Sequence, residues 1–183
     1  MHRTTAELLD GLSNVAASPR DAGTLELIVA RPVPGERLVL ASGSLSVETG
    51  LDGDGWLLRG SRHTEDGSAE VGRQITIANA RATELFAGPI DRWPLAGDQL
   101  YVDLDLSEEN LPAGVRLLVG EMAQLEVSAA PHTGCAKFAE RFGMDAARLA
   151  NAPEGRRWNV RGINATVVVP GPIEVGDPVI PLR

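Results

Sequence analysis

The sequence predicts a mainly β domain, a sandwich or a barrel, that carries a few short helices. Two runs carry this prediction: Leu100–Leu106, in which leucine and valine recur at every second residue, and Ile163–Val169, which is rich in β-branched residues. Turn-forming glycine, proline and aspartate residues separate these runs from other short apolar runs, as expected of a mainly antiparallel sheet. We expect strands near Leu25–Val29, Ile75–Ile77, Leu100–Leu106, Leu125–Val127 and Ile163–Val169.

Short helices are predicted at three places. Thr4 and Glu7 form a capping-box pattern before an apolar repeat of helical period, so residues 1–23 are expected to be an N-terminal helical segment. Asn79 is a candidate N-cap of a second helix, and residues 135–150 read as two further short helices. The remaining residues, 24–183, are expected to form a single β domain, in keeping with the chain length.

Composition limits the classes of partner. The 183-residue chain has a formal net charge of −8, which disfavours nucleic acid or an anionic membrane as its main partner. A single cysteine excludes an internal disulfide and a multi-cysteine metal site. The sequence has no apolar leader and no long apolar run, so we expect a cytoplasmic protein.

One stretch, Pro131–Phe138, combines the only cysteine and the only lysine of the chain. It lies between a strand-like and a helix-like run, so Cys135 is expected near a helix N-terminus, where the helix dipole and Lys137 favour a thiolate. Such a thiolate is a nucleophile or a ligand for a soft metal. Two alternatives are a small buried packing residue and half of a zinc site with His132, for which only two further histidines are available.

Several short motifs in this order resemble a MOSC domain, the family named for the C-terminal domain of molybdenum cofactor sulfurase. The resemblance spans roughly Thr24 to Leu182 and is most specific around Cys135. The motifs are Gly50–Asp54, Gln74–Ile77, Gly97–Asp98, Glu109–Gly114, Val119–Gly120, Leu125–Ser128 leading into Pro131–Phe138, Arg161–Ile163 and Gly176–Asp177.

The resemblance implies a MOSC-like β-barrel whose cysteine faces a pocket for the molybdenum cofactor, a molybdenum–pterin (molybdopterin) group. In the reductase members of the family the cysteine sulfur binds molybdenum, so the resemblance implies that Cys135 is both the metal ligand and the catalytic residue. The cofactor's phosphate and pterin edges need cationic and amide partners. The candidates are His132, Thr133, Lys137, Arg161, Arg73, Arg81, Asn79 and Asn110.

The sequence departs from the family pattern at one position. Related reductases often carry an arginine directly after the aspartate that corresponds to Asp54, whereas this chain has Gly55. Arg59 or Arg62, a few residues further on, could take over the phosphate contact.

Three functional hypotheses follow. The first is a molybdenum-dependent oxidoreductase that reduces N-hydroxylated small molecules and receives electrons from a separate flavin or iron–sulfur protein. The second is a sulfur carrier or cofactor-binding module in which Cys135 holds a persulfide or the cofactor. The third is a diverged domain without a cofactor, in which Cys135 is structural.

Overall fold

The computed structural model describes residues 2–183, and its centre is a β-barrel of seven strands. The prediction of a mainly β fold with short helices is therefore confirmed. Residues 2–183 form eleven strands, of which seven belong to the barrel. All eleven are β1 (Gly23–Ala30), β2 (Leu38–Leu40), β3 (Ser42–Ser46), β4 (Gly50–Leu51), β5 (Ile75–Asn79), β6 (Leu100–Asp103), β7 (Arg116–Val119), β8 (Ala123–Val127), β9 (Ile163–Val169), β10 (Gly171–Glu174) and β11 (Pro178–Leu182). The helices are α1 (Thr5–Ala16), α2 (Trp56–Arg59), α3 (Ala80–Ala87), α4 (Ala136–Phe142), α5 (Met144–Asn151) and α6 (Pro153–Arg157), with 3-10 turns at Val71–Arg73 and Ile90–Ala96.

The barrel runs in the order β1-β6-β5-β9-β8-β7-β11 and closes where β11 pairs with the start of β1. All of these pairs are antiparallel except β5–β6. A ring with an odd number of strands needs at least one parallel pair, because the strand direction must return to itself around the ring. The connection from β5 to β6 supplies this pair, and it passes through α3, as a parallel crossover requires.

One apolar layer lies inside the barrel wall, and a second lies on its outer side. Alternate residues of the strands fill the interior, such as Leu100 and Val102 of β6, while Tyr101 of the same strand faces the outer layer. In that outer layer α1, α3, α4 and α5 cover the wall. Strand β1 is buried on both faces for this reason, and it lacks the simple alternation of a half-exposed strand.

The N-terminal helix forms as predicted. The Thr4 side chain accepts a hydrogen bond from the Glu7 amide, and the Glu7 carboxylate accepts one from the Thr4 amide at 2.7 Å. Leu8 and Val15 are buried against α3 and α5, so α1 packs on the helices that cover the barrel.

Two details differ from the sequence prediction. The strand expected over Leu100–Leu106 ends at Asp103, because the Asp105 amide leaves the sheet and donates to the Pro19 carbonyl at 2.8 Å. Strand β11 was not predicted, since it contains two prolines. It tolerates them because Pro178 is its first residue and Pro181 lies beyond its short pairing with β1, so that edge of the strand needs no amide donor at Pro181.

Among the helices of residues 2–183, none combines the length and the apolar character that a membrane span requires.

Gly162, at the entry to β9, has a φ of 100°, and a Cβ there would lie 2.3 Å from the backbone oxygen of Ile77. Gly176 has a φ of 98°, and nothing lies within 4 Å of its Cβ position. We predict that Gly176→Ala lowers the free energy of unfolding by about 1 kcal/mol, the cost of the backbone conformation alone. Gly162→Ala should cost about 3 kcal/mol, because a backbone clash is added. Urea unfolding measures both values, and equal losses would show that the β5–β9 contact is not tight.

Candidate functional site

The segment Pro131–Cys135, here called the cysteine loop, is the last part of the connection from β8 to α4. Cys135 is the N-cap residue of α4 and is exposed, so the expectation of a cysteine at a helix N-terminus is confirmed. Helix α4 is fixed by Phe138 and Phe142, whose rings meet Phe86 of α3 edge-on at 4.9 and 5.0 Å. The predicted shared face of these two phenylalanines therefore anchors the helix that follows the cysteine.

Two adjoining polar cavities lie beside the cysteine loop, and His132 and Asn164 line both of them. The first, about 200 Å³, is here called the arginine cavity; its lining comprises Arg31, Trp56, Arg59, Gly60, Ser61, Glu70, Arg73, Thr76, His132 and Asn164. The second, about 220 Å³, lies at the ends of β8 and β9; it is lined by Glu108, Leu111, Ala113, residues 127–132, Asn159 and residues 162–164.

The arginine cavity carries more positive than negative charge. Arg31 forms a two-pronged ion pair with the buried Asp54, at 2.9 and 3.2 Å, and Arg73 pairs with Glu70 at 2.8 Å. Within residues 2–183 the only carboxylate oxygen within 4 Å of Arg59 belongs to Asp54, at 3.9 Å, and that carboxylate already binds Arg31. Burial and the charge of Arg31 lower the pKa of Arg59. The cavity can therefore accept one anionic group at Arg59.

His132 and Arg161 meet at the buried carboxylate of Asp98. Arg161 donates to Asp98 Oδ2 at 2.6 Å and to the Ala96 carbonyl at 2.9 Å, and its guanidinium lies 5.1 Å from the centre of the Phe138 ring. His132 Nε2 lies 3.6 Å from Asp98 Oδ1. Arg161 is thus a buried support beneath α4, with both terminal nitrogens already bonded.

The imidazole of His132 is held neutral. Burial and then the positive charge of Arg161 lower its pKa from 6.5 to about 3. The tautomer with its proton on Nε2 directs that proton toward Asp98 and leaves a lone pair on Nδ1, which has no partner within residues 2–183. His132 therefore offers the two cavities an acceptor rather than a cation.

Six of the eight predicted cofactor-binding residues line neither cavity, and three of these six bind other parts of the chain. Asn79 caps α3 through the Ala82 amide and donates to Ser18 and the Leu104 carbonyl. Arg81 donates hydrogen bonds to both carboxylate oxygens of Asp103, and these bonds raise the pKa of the Arg81 guanidinium. Asn110 donates to the carbonyls of Arg20 and Asp105 and accepts from Arg183. Their polar atoms hold chain segments together. The sequence predicted the N-cap role of Asn79, which is confirmed, but it did not reveal the partners that are distant in the chain.

Of the other predicted residues, Arg161 is buried beneath α4, and the rest lie in the arginine cavity or at the surface. Arg73 and His132 line the arginine cavity, while Thr133 and Lys137 are exposed beside Cys135. Cys135 itself lines an open, largely apolar groove of about 540 Å³ between α4 and α5. Most of the other side chains that line this groove are alanines, together with Met144. The chain therefore passes from the polar cavities to this groove between His132 and Cys135.

The packing around residue 55 explains why it is a glycine and not the arginine of the family pattern. A Cβ at this position would lie 2.4 Å from the backbone oxygen of Pro32 and 3.0 Å from that of Arg31, so no side chain fits without a backbone shift. Arg59, one helical turn further on, reaches the arginine cavity, whereas Arg62 is exposed and does not line it. Of the two substitutes suggested by sequence, the structure brings only Arg59 to this cavity.

Sequence reasoning missed three residues that shape this region: Asp98, Asn164 and Asn151. Asp98 belongs to the Gly97–Asp98 motif of the family resemblance, but nothing in the sequence indicated that it contacts His132 or Arg161. Asn164 donates to the Ala130 carbonyl, and Asn151 binds the backbone of Gly134. Both are asparagines beside a strand or helix end, a pattern shared with many ordinary capping residues.

The depressed pKa of His132 makes stability depend on pH. In the unfolded chain the imidazole takes up a proton near pH 6.5, whereas in the folded chain it does so only near pH 3. Between these values the unfolded state binds more protons, so stability falls as the pH falls. We predict that His132→Gln reduces this slope by about 1 kcal/mol per pH unit, measured by urea unfolding between pH 6.5 and 4.5. Identical slopes for both proteins would contradict the buried neutral imidazole.

The sequence matches no protein-family model and no curated protein sequence. Solved structures are similar in fold. The YuaD protein of Bacillus subtilis superposes with a TM-score of 0.61 at 18% identity, over 86% of this chain and 94% of that one. YiiM from Geobacillus stearothermophilus gives 0.56 at 15% identity, over 88% and 75% of the two chains. YiiM from Escherichia coli gives 0.56 at 21% identity, over 87% and 70%. These likenesses show that the chain has a MOSC-like fold.

Proposed function

We propose that this protein binds the molybdenum–pterin cofactor and reduces N-hydroxylated small molecules, with Cys135 as the molybdenum ligand. The observation that carries the proposal is the arrangement of the cysteine loop. Its thiol is exposed at the start of α4, and His132, three residues earlier, lines two adjoining polar cavities, of which the arginine cavity holds an excess positive charge. Soft thiolate sulfur suits a molybdenum centre, and a cationic cavity suits a phosphate.

The donor set of the cavities fits the cofactor's polar parts. Arg59 would hold the phosphate, with Arg73 beside it, because the charge of Arg59 is the less compensated of the two. His132 Nδ1 is a buried acceptor without a partner in residues 2–183, and it suits an N–H group on a pterin edge. Lys137, the exposed second residue of α4, adds a positive charge two residues after Cys135.

When bound, the cofactor would supply two-electron reduction of an N–O bond. The substrate would take up two electrons and two protons, and the N–O bond would break to give an amine and water. The electrons would come from a separate flavin or iron–sulfur protein, since this chain has one cysteine and cannot ligate a cluster by itself. The role of the chain is to hold the thiol, the phosphate and the pterin edge in fixed relation.

A second function, a sulfur carrier with a persulfide on Cys135, is favoured by one observation. Cys135 lines the open groove between α4 and α5 rather than either polar cavity, so a partner protein could reach the thiol directly. A packing role for Cys135 as a small buried side chain does not fit, because the residue is exposed.

We predict that Cys135→Ser abolishes reduction of an N-hydroxylated base and leaves the fold intact. Serine is a favoured N-cap residue, so the free energy of unfolding should stay the same or rise by up to about 1 kcal/mol. The measurements are molybdenum content, reductase rate with a supplied electron donor, and urea unfolding. A reconstituted Cys135→Ser protein that reduces substrate as fast as wild type would disprove the metal-ligand role.

The same experiment separates the two functions. A carrier would show no reductase activity in the wild type, but it would gain a persulfide on Cys135 after incubation with a cysteine desulfurase. The Cys135→Ser variant would gain none.

For the phosphate contact, we predict that Arg59→Ala lowers cofactor affinity by about tenfold, the effect of losing one charge-assisted hydrogen bond. Arg62→Ala is the matched control, since Arg62 is an exposed arginine outside the cavity. Molybdenum and pterin retained per protein after gel filtration give the readout. Equal retention in the two variants would remove Arg59 from the phosphate site.

A further inference from the structure

The cysteine loop is held by side chains from three separate parts of the fold. Arg73 Nη1 donates to the Pro131 carbonyl at 2.7 Å, and the Asp98 carboxylate faces His132. Asn151, the last residue of α5, binds the backbone of Gly134. The contacts therefore fall on the first, second and fourth residues of the loop.

Asn151 occupies both backbone polar groups of Gly134 with one side chain. Its Oδ1 accepts the Gly134 N–H at 3.1 Å, and its Nδ2 donates to the Gly134 carbonyl at 3.1 Å and to the Ala147 carbonyl at 3.0 Å. The bond to Ala147, within the same helix, fixes the orientation of the amide. Gly134 is therefore held to the end of α5 in one orientation.

Glycine at position 134 permits this close approach. A Cβ there would lie 3.2 Å from Asn151 Nδ2, 3.3 Å from the Ala147 carbonyl oxygen and 3.4 Å from Ala150 Cβ. The first two of these distances are shorter than usual contacts of a Cβ atom, so the loop backbone lies directly on α5. Both the glycine before the cysteine and the asparagine opposite it thus serve the same contact.

The start of α4 is held from its other side. The guanidinium of Arg161 lies against the Phe138 ring, and Arg161 is bonded to Asp98, the carboxylate that also faces His132. Cys135 is therefore flanked by fixed residues on both sides. Within residues 2–183, the side chains of Thr133 and Cys135 make no hydrogen bond, and both residues are exposed.

We propose that Asn151 is a positioning residue, which orients the Cα–Cβ bond of Cys135 through the backbone of Gly134. Cys135 follows Gly134 directly, so the orientation of the peptide between them sets where the Cα–Cβ bond of the cysteine points. A ligand or nucleophile must be held within about 0.5 Å of its working position. The consequence for catalysis rests on the proposed function, whereas the positioning itself does not.

The test uses the wild type and three variants: Asn151→Ala, which removes the contact; Gly134→Ala, which pushes the loop away from α5; and Asn14→Ala, a matched control. Asn14 is an exposed asparagine of α1, remote in sequence from the cysteine loop. Hydrogen exchange is measured over a peptide covering residues 131–138. Because the chain has one cysteine, a nitroxide label on Cys135 also reports the motion of this residue without engineering.

Asn151→Ala should speed exchange in this peptide by about tenfold, the effect of losing a hydrogen bond of ordinary strength, and should sharpen the nitroxide spectrum. Gly134→Ala should sharpen the spectrum as well, and Asn14→Ala should change neither readout. If Asn151 only stabilised the fold, exchange would rise equally in peptides from β8 and β9. That result, or unchanged exchange in residues 131–138, overturns the proposal.

A third readout connects positioning to the proposed reaction. In cofactor-loaded protein, Asn151→Ala should lower kcat more than it raises KM, since the substrate site remains and the metal ligand is misplaced. A larger effect on KM than on kcat would contradict a role through Cys135. If the wild type shows no reductase activity, the proposed function fails, while the exchange and label measurements still decide the positioning role.

Discussion

The buried Asp98 carboxylate is the interaction on which the arrangement around the cysteine depends. It has no exposed surface, pairs with Arg161 at 2.6 Å and faces His132, while its own amide donates to the Tyr101 hydroxyl. Burial raises the pKa of Tyr101, with the Asp98 charge adding to the effect, so the hydroxyl stays protonated and donates to the Trp93 carbonyl. Removing one partner from such a buried pair typically costs about 3–5 kcal/mol, because the remaining charge is uncompensated.

This carboxylate connects elements that are far apart in the sequence. Asp98 precedes β6, Arg161 precedes β9, and His132 lies in the cysteine loop. Through Phe138 the same network reaches α4. A loop that leaves a rigid barrel is normally mobile, but here side chains from the barrel and the helical layer hold it at several residues. The exposed thiol is therefore carried by a well-supported backbone.

The polar region around His132 and the groove at Cys135 differ in chemical character. The cavities offer cations, an imidazole acceptor and amide groups, whereas the groove offers mainly alanine and methionine side chains. A molecule held by the cavities and a second molecule that approaches through the groove would meet at the cysteine loop. The proposed function requires such a division, with the cofactor in the cavities and the small substrate in the groove.

The sequence alone determined the elements whose signals are local. The strands around Leu25, Ile75, Leu125 and Ile163, the capped N-terminal helix and the position of Cys135 before a helix all follow from period, turn and capping rules. Only the tertiary structure decided which polar residues meet. Arg161, Arg81 and Asn79 read as possible ligand contacts in the sequence, yet each is occupied by a partner 22 to 63 residues away. Of Arg59 and Arg62, the two substitutes that the sequence offered for the arginine missing at Gly55, only Arg59 lines the arginine cavity. The periodicity that predicts strands and helices is a local property of the sequence. The partner of a charged side chain, in contrast, depends on which strands the barrel places side by side.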